Sequence, residues 1–583
     1  MVLLNLLNWS TVMTIFTINI CLITYNKKFL TYKGIAVLSI INNLFFLVYC
    51  STNWCYYVIK SKTDSFGFKI NNSVWANVNY EISFKITILS FLFVLLILII
   101  SFATNIYILN YFKYEERAEE FTLLINWFVL SMIIFVSGNN FFTLILGWEL
   151  IGFTSFLLIN FWKFKSTTLT CSLKAFAFNK FSDLFLMLAF CILWNTYKVN
   201  DIDTLLNTIS MNKTLNTTTL SIVCTCILIC SSVKSAQIVG HLWLPDSMEA
   251  PVPASSLIHS ATLVSAGIYL LLKFQLIFII TGFMPILFLV GSITAAYGGI
   301  VAASQTDMKK LLAYSTVSHC GFIVASIGLN NFLITIVYLY LHGLLKAVTF
   351  FCAGSLIKFN NTQDMRYMGG NKSQSLNTIV LIISAINLGG LPFTYGYLYK
   401  ELLLNYLVIH TYGFLGYGFC IIGMLSSVVY VYKLIYYSCF DFAKGFIQYI
   451  PLTIQNYAAL ADKYYNQFTT SKIFSFFVIY FYVFIFYYLV KYYLLNIYIF
   501  YQPHTENGLN EIKFLTEFIF FKKYLISLYY ILFDTVLLIL FFNFERTRYF
   551  YDDIMILARQ MYLFLIFYRV VNCLLFYVFS FII

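Results

Sequence analysis

A lysine within an apolar run is the first residue of this chain that could do chemistry. Lys234 stands in SSVKSAQ, near the end of such a run. Pro245, Pro251 and Pro253 then break the chain, and a second apolar run follows with His259 near its start. A lysine at membrane depth costs roughly 2.5–3.5 kcal/mol on insertion scales. Proline removes a backbone donor and interrupts helices, and irregular backbone at that depth is tolerated only where it is buried in protein or lines a watery cavity. A titratable group beside a broken helix is therefore a candidate for ion transport. Ser231, Ser232, Ser235 and Gln237 lie close in sequence, so hydroxyls and water could reach the ammonium. Burial disfavours a charged amine and a neighbouring carboxylate favours it. A lysine with a carboxylate first near and then far is thus a switchable proton carrier. The plain alternative for Lys234 is snorkelling to the membrane interface.

Other ionisable residues fall inside apolar runs. Glu149, in FFTLILGWELIGFTSFLLI, has no charged neighbour within ten residues. An intramembrane carboxylate is by default a functional candidate; its plain alternative is local pairing with a hydroxyl or backbone group. Lys180 and Asp183 are three apart and share a helix face, either as part of the same path or as a self-neutralising structural pair. His342 and Lys346, in YLYLHGLLKAVTFF, are four apart on one face. Histidine titrates near neutrality and relays protons. His259 and His319 (in LLAYSTVSHCGFIV) would each be weak alone, since a lone buried histidine is usually a satisfied core residue. Together these groups sit on several different spans. Lys400 and Glu401 adjoin a second interruption, NLGGLPFTYGYLYKELLL, with Gly389, Gly390 and Pro392; one of the two is expected to end a proton path, or the pair caps a helix at the interface.

The elements that must position these groups are membrane helices. The chain has 583 residues, 61% hydrophobic and 10% charged, with a mean hydropathy of +0.83. That is more apolar surface than a soluble domain needs, and many runs reach the roughly 20 residues of a membrane helix. The alternation of a β-barrel is absent. The reading is an all-α polytopic membrane bundle of about 15 transmembrane helices. Net charge is +12, with only six arginines among 36 basic residues. The lysines suit loops facing anionic lipid, and no basic block with interleaved aromatics suggests nucleic acid. The 13 cysteines lie mostly in apolar runs and read as small core hydrophobes, with no spacing for zinc or an iron–sulfur cluster. The 62 phenylalanines and 46 tyrosines fit an AT-rich genome such as an organelle's. The N-terminus reads as a first membrane helix followed by Lys27 and Lys28, with neither transit-peptide character nor a cleavage site.

Two Gly/Pro-interrupted segments in corresponding places point to inverted repeats. The expected divisions are N-terminal helices at 1–118, a first repeat at 119–274, a second at 277–438, and a C-terminal transmembrane region at 441–509. A charged, amphipathic lateral helix at 510–560 and an anchoring span at 561–583 complete the chain. Residues 60–82, 196–216 and 359–375 read as polar loops. No Walker A loop, dinucleotide fingerprint, CxxC ladder or haem-ligand pair is present, so no metal or bound cofactor is expected in this chain, and any redox chemistry that drives it lies elsewhere.

HLWLPDSMEAPVPASSLIHSATLVSAGIYLL resembles the signature of the subunit 5 family of NADH dehydrogenase, the distal antiporter-like subunits of respiratory complex I. FFTLILGWELIGFTSFLLI, SSVKSAQ, LLAYSTVSHCGF, HGLLKAVTFFCAGSLI and LPFTYGYLYKELLL are similar to further family blocks in the same order, over about 115–440. The resemblance implies proton translocation by a core membrane subunit of NADH:ubiquinone oxidoreductase. Glu149 and Lys234 correspond to its glutamate–lysine pair, Asp183 to an acidic partner on the preceding helix, His259 and Lys346 to the central hydrophilic axis, and Lys400 to its terminal lysine. Glu401 stands where the family often has aspartate. The family usually carries two histidines four apart before the lysine of the eleventh helix; here the first is Tyr338. The resemblance also implies a mitochondrial inner-membrane location, with NADH, FMN, iron–sulfur clusters and ubiquinone held by partner subunits. Those partners would include the sister antiporter-like subunits 4 and 2, accessory subunits, and lipids including cardiolipin. The alternatives are the large subunit of a multisubunit Na+/H+ antiporter and a non-transporting assembly scaffold.

Overall fold

The computed structural model describes residues 81–440, less 114, 116, 212–216, 261, 370–374, 392–393 and 410–413, together with 66–71 and parts of 34–45. The expectations for 441–509, 510–560 and 561–583 lie outside the described residues. Ser375 aside, the elements named below belong to one compact unit, formed by residues 1–371 and 376–491.

Among the described residues ten helices are long and apolar enough to cross a membrane, which bears out the helical membrane bundle. One departure from all-α is a two-stranded antiparallel hairpin, β1 (Phe66–Asn71) and β2 (Glu81–Ile86), in register Phe66↔Ile86. β1 and the first residues of β2 fall in the segment 60–82 read as a polar loop. The hairpin is tied down by the ion pair Lys85–Asp203 at 2.5 Å and by the Ser83 hydroxyl, which donates to Asn140 and, at 3.2 Å, to Asp201.

The helices then follow in order: α1 (Ile88–Tyr111), α2 (Ala118–Ser137), α3 (Phe141–Ile159), α4 (Ser166–Tyr197), short α5 (Ile202–Met211) and α6 (Thr217–Lys234). After the first interruption come α7 (Val252–Ser260), α8 (Leu263–Lys273), short α9 (Gln275–Thr281), α10 (Met284–Ser304), α11 (Met308–Gly328) and α12 (Phe332–Asn360). α13 (Ser375–Gly389), α14 (Tyr395–Ile409) and α15 (Phe414–Ile435) complete the set. Polar residues start them where the sequence supplies caps: the Thr87 hydroxyl accepts from Ser90 N ahead of α1, and the Asn331 amide oxygen accepts from Ile334 N at 3.1 Å ahead of α12. Such caps contribute about 1 kcal/mol each.

Packing joins both sequence neighbours and distant helices. α2 lies on α3, α4 on α6, and α10 on both α11 and α15. α10 and α11 touch backbone to backbone: a Cβ on Gly291 would come within 2.3 Å of Ala325 N, so only glycine lets these helices approach so closely. α1 is buried along most of its length against α7 and α12, where Tyr107 donates to Phe351 O at 3.2 Å and Tyr340 donates to Leu92 O.

Two further apolar stretches, 254–274 and 277–303, are each divided into two helices. The run near 254–274 is divided into α7 and α8 around residue 262, where the Thr262 hydroxyl donates to Leu257 O at 2.9 Å. The run near 277–303 is divided by Gly282, at φ +73°.

Candidate functional site

The first interruption begins directly after Lys234. Ala236 and Val239 take positive φ values of 52° and 75°, and two 3-10 turns, Gly240–Trp243 and Asp246–Glu249, lead into α7. Its freed backbone groups find partners. Trp243 Nε1 donates to Val233 O at 2.8 Å. Lys309, buried at the start of α11, donates to Met248 O and Ala250 O, each at 3.2 Å. Lys174 pairs with Asp246 at 2.6 Å.

Lys234 is completely buried. Its Nζ lies 4.9 Å from the centre of the Trp148 ring and has no hydrogen-bond partner among the described side chains. Asp183 and Glu149 act on its charge from α4 and α3. Glu149's direct ion partner is Lys180, which also lies 3.5 Å from Asp183. The expected Glu149–Lys234 relation is thus an electrostatic one, with the direct ion pair made by Lys180. The sequence carried no signal for the Glu149–Lys180 contact, because 31 residues and a helix turn-around separate them.

A central cluster follows on α7, α11 and α12. The His259 ring stacks on Phe350 with centroids 5.7 Å apart, and its Nε2 meets the Ser247 hydroxyl at 3.1 Å. Lys346 donates to Leu312 O at 3.1 Å and to the Ser315 hydroxyl. The His342 and His319 rings lie 5.4 Å apart. His319 also meets the hydroxyls of Tyr338 and Tyr430.

Lys400 reaches back across the second interruption. Its Nζ donates to Gly389 O at 2.8 Å, Leu388 O at 3.2 Å and the Ser427 hydroxyl at 2.7 Å. The ammonium therefore sits on the free carbonyls that end α13, where the helix dipole favours a cation. Glu401 is half-buried; it neighbours Lys400 in sequence but lies about 100° around the helix. Of the expected residues, then, Glu149, Lys180, Asp183 and Lys234 form one cluster, and His259, His319, His342 and Lys346 another. Lys400 stands at a helix end, and Glu401 is half-buried beside it in sequence. Trp148, Ser315, Ser427 and Tyr430 were missed, since hydroxyl and ring partners on distant spans leave no trace in local spacing. Lys309 was missed because Lys309–Lys310 beside Asp307 reads as loop charge.

A row of buried cations beside broken helices defines a class of membrane protein, and comparison gives the same class: residues 138–426 match the family described as NADH:quinone oxidoreductase/Mrp antiporter, transmembrane. The chain is 38% identical over 464 residues to NADH-ubiquinone oxidoreductase chain 5 of Paramecium tetraurelia, covering 78% of this chain and 81% of that one. To the protein of the same name from Wickerhamomyces canadensis it is 34% identical, covering 71% of this chain and 64% of the other. The chain belongs to the NADH-ubiquinone oxidoreductase chain 5 family. Two solved structures share its fold. One is the membrane-bound sulfane sulfur reductase, an archaeal respiratory membrane complex, with a TM-score of 0.65 at 16% identity, covering 81% of this chain and 98% of that one. The other is the Mrp complex from Dietzia sp. DQ12-45-1b, with a TM-score of 0.61 at 20% identity, covering 79% of this chain and 50% of that one.

Proposed function

We propose that this multi-pass chain is a proton-translocating, antiporter-like membrane subunit of NADH:ubiquinone oxidoreductase. The observation that carries the reading is the succession of ionisable groups inside the bundle. It runs from Glu149, Lys180 and Asp183 through Lys234 to His259, His342, Lys346 and His319, and ends at Lys400. Burying Lys234, Lys346 and Lys400 is costly, and a scaffold gains nothing from it. Each lysine has a different compensation: carboxylates near Lys234, a hydroxyl and a carbonyl at Lys346, and a helix end at Lys400. A change in the distance between Lys234 and the Glu149–Lys180–Asp183 cluster would alter how tightly Lys234 holds its proton. The central histidines and hydroxyls then provide steps by which a proton moves along the bundle.

On this reading the redox chemistry belongs to partner subunits, which hold NADH, FMN, iron–sulfur clusters and ubiquinone. This chain contributes proton movement through its own side chains. The finer assignments are the mitochondrial inner membrane, contact with sister antiporter-like subunits 4 and 2 and with accessory subunits, and binding of lipids including cardiolipin. The two halves, 119–274 and 277–438, act as inverted half-channels. The Na+/H+ antiporter alternative rests on the shared family description and on fold likeness, whereas the relatives that match over most of the chain carry the chain 5 name.

The test is gentle solubilisation of native membranes, native electrophoresis, staining for NADH oxidation and peptide identification of the active band. Co-migration with a very large NADH-oxidising band is the expected result. Migration in a smaller assembly without NADH activity would contradict the reading and favour the Na+/H+ antiporter.

A further inference from the structure

His319, on α11, has both ring nitrogens occupied by phenol hydroxyls. Nδ1 meets Tyr338 OH of α12 at 2.8 Å and Nε2 meets Tyr430 OH of α15 at 3.1 Å. The three side chains are buried, at 3%, 4% and 2% exposure. A neutral imidazole has one donor and one acceptor nitrogen, and a phenol hydroxyl can play either part. The clasp can therefore be satisfied in two ways. In one, Tyr338 donates to Nδ1 and Nε2–H donates to Tyr430. In the other, Nδ1–H donates to Tyr338 and Tyr430 donates to Nε2. Neither arrangement puts a net charge among these groups, so passing between them avoids the penalty of a bare charge in an apolar interior.

The clasp stands between two of the buried lysines. Tyr338, His342 and Lys346 recur at four-residue intervals and share a face of α12. Lys346 bonds Ser315, which is four residues before His319 on α11, and the His342 ring adjoins that of His319. On α15, Ser427 lies one turn before Tyr430, and its hydroxyl takes a hydrogen bond from the Lys400 ammonium at 2.7 Å.

We propose that Tyr338, His319 and Tyr430 form a charge-neutral proton relay joining the Lys346 side of the path to the Lys400 side, with Tyr430 as its exit. The proposal rests on the reading of the chain as a proton-moving subunit. A proton released by the Lys346 ammonium passes along the face of α12 that Lys346, His342 and Tyr338 share, through waters bridging its four-residue steps, and reaches the Tyr338 oxygen as Tyr338 gives its own proton to Nδ1. Nε2 gives its proton to the Tyr430 oxygen. Tyr430 passes its hydroxyl proton by way of bridging water to Ser427, which lies one turn earlier on α15, and Ser427 hands a proton to the neutral Lys400 amine. One proton enters and one leaves, and the amine at position 346 becomes neutral as that at 400 becomes charged.

Tyr430→Phe and Tyr338→Phe each remove one hydroxyl and keep the ring. They are compared, singly and together, with Lys400→Met in membranes holding the assembled complex, by the ratio of protons moved to electrons passed. The relay requires each single variant to keep NADH oxidation and to lower the ratio to that of Lys400→Met, with the double variant no lower than either single. Serial members of one path are non-additive, because blocking one step already stops the flow, whereas independent structural supports lose function additively. A normal ratio in either single variant, or losses that add in the double, overturns the relay. If Tyr430→Phe does not assemble, Tyr338→Phe carries the test with the same two outcomes. A normal ratio in Lys400→Met would instead sink the reading of the chain as a proton pump.

Discussion

Lys400 and Lys234 are both buried, but by different means. Lys400 is held by three oxygen acceptors at the end of α13, whereas Lys234 rests on the Trp148 ring with carboxylates beyond. The hold on Lys400 depends on Gly390. That residue takes φ +69°, and a Cβ there would come within 2.7 Å of Lys400 Cδ. Gly390→Ala is expected to cost about 1–3 kcal/mol from the backbone conformation alone and to dislodge the ammonium. Thermal unfolding of the solubilised complex, with proton pumping measured beside it, checks this; unchanged values in both would show that Lys400 tolerates the added methyl. At this scale the sequence was informative about which residues are charged at membrane depth, because a lone Lys or Glu in an apolar run stands out. It could not say which groups meet. The partner of Glu149 is Lys180 on the next helix, and the partner of Lys400 is Ser427 on the one after it; both contacts exist only once helices pack.

The elements that carry these residues are helices made to stop. Pro245, Pro251 and Pro253 announced the first interruption, and Gly389, Gly390 and Pro392 the second. In the structure α6 ends at Lys234 and α13 at Gly389. Helix lengths in the two proposed repeats run in parallel: 20, 19 and 32 residues for α2, α3 and α4, against 21, 21 and 29 for α10, α11 and α12. The hairpin at 66–86 was not legible, since the alternation in EISFKI is short and submerged in a chain apolar almost everywhere. The pause at residue 262 was also hidden, because no proline or glycine marks it. Lys309 is the element-scale staple, joining α11 to the turn whose Ser247 meets His259. Lys309→Met leaves two buried carbonyls without that donor, and the expected loss is about 1–3 kcal/mol. A lowered unfolding temperature with proton pumping impaired in proportion to the loosened His259 contact supports the staple; an unchanged unfolding temperature counts against it.

At the scale of the bundle, among the described residues, ionisable side chains that would be costly one by one are arranged in a succession of clusters through an interior otherwise made of apolar side chains with interspersed hydroxyls and amides. The central claim is that Lys234 carries protons rather than holding the fold. Lys234→Met keeps most of the side chain's length and volume while removing its charge, so the interior can close around it. The most direct measurement is the proton-to-electron ratio of the complex carrying Lys234→Met, with the amount of assembled complex and its NADH oxidation recorded on the same membranes. A lowered ratio in a complex assembled in normal amount is the expected result; a normal ratio in that complex would contradict the assignment of Lys234 to the proton path.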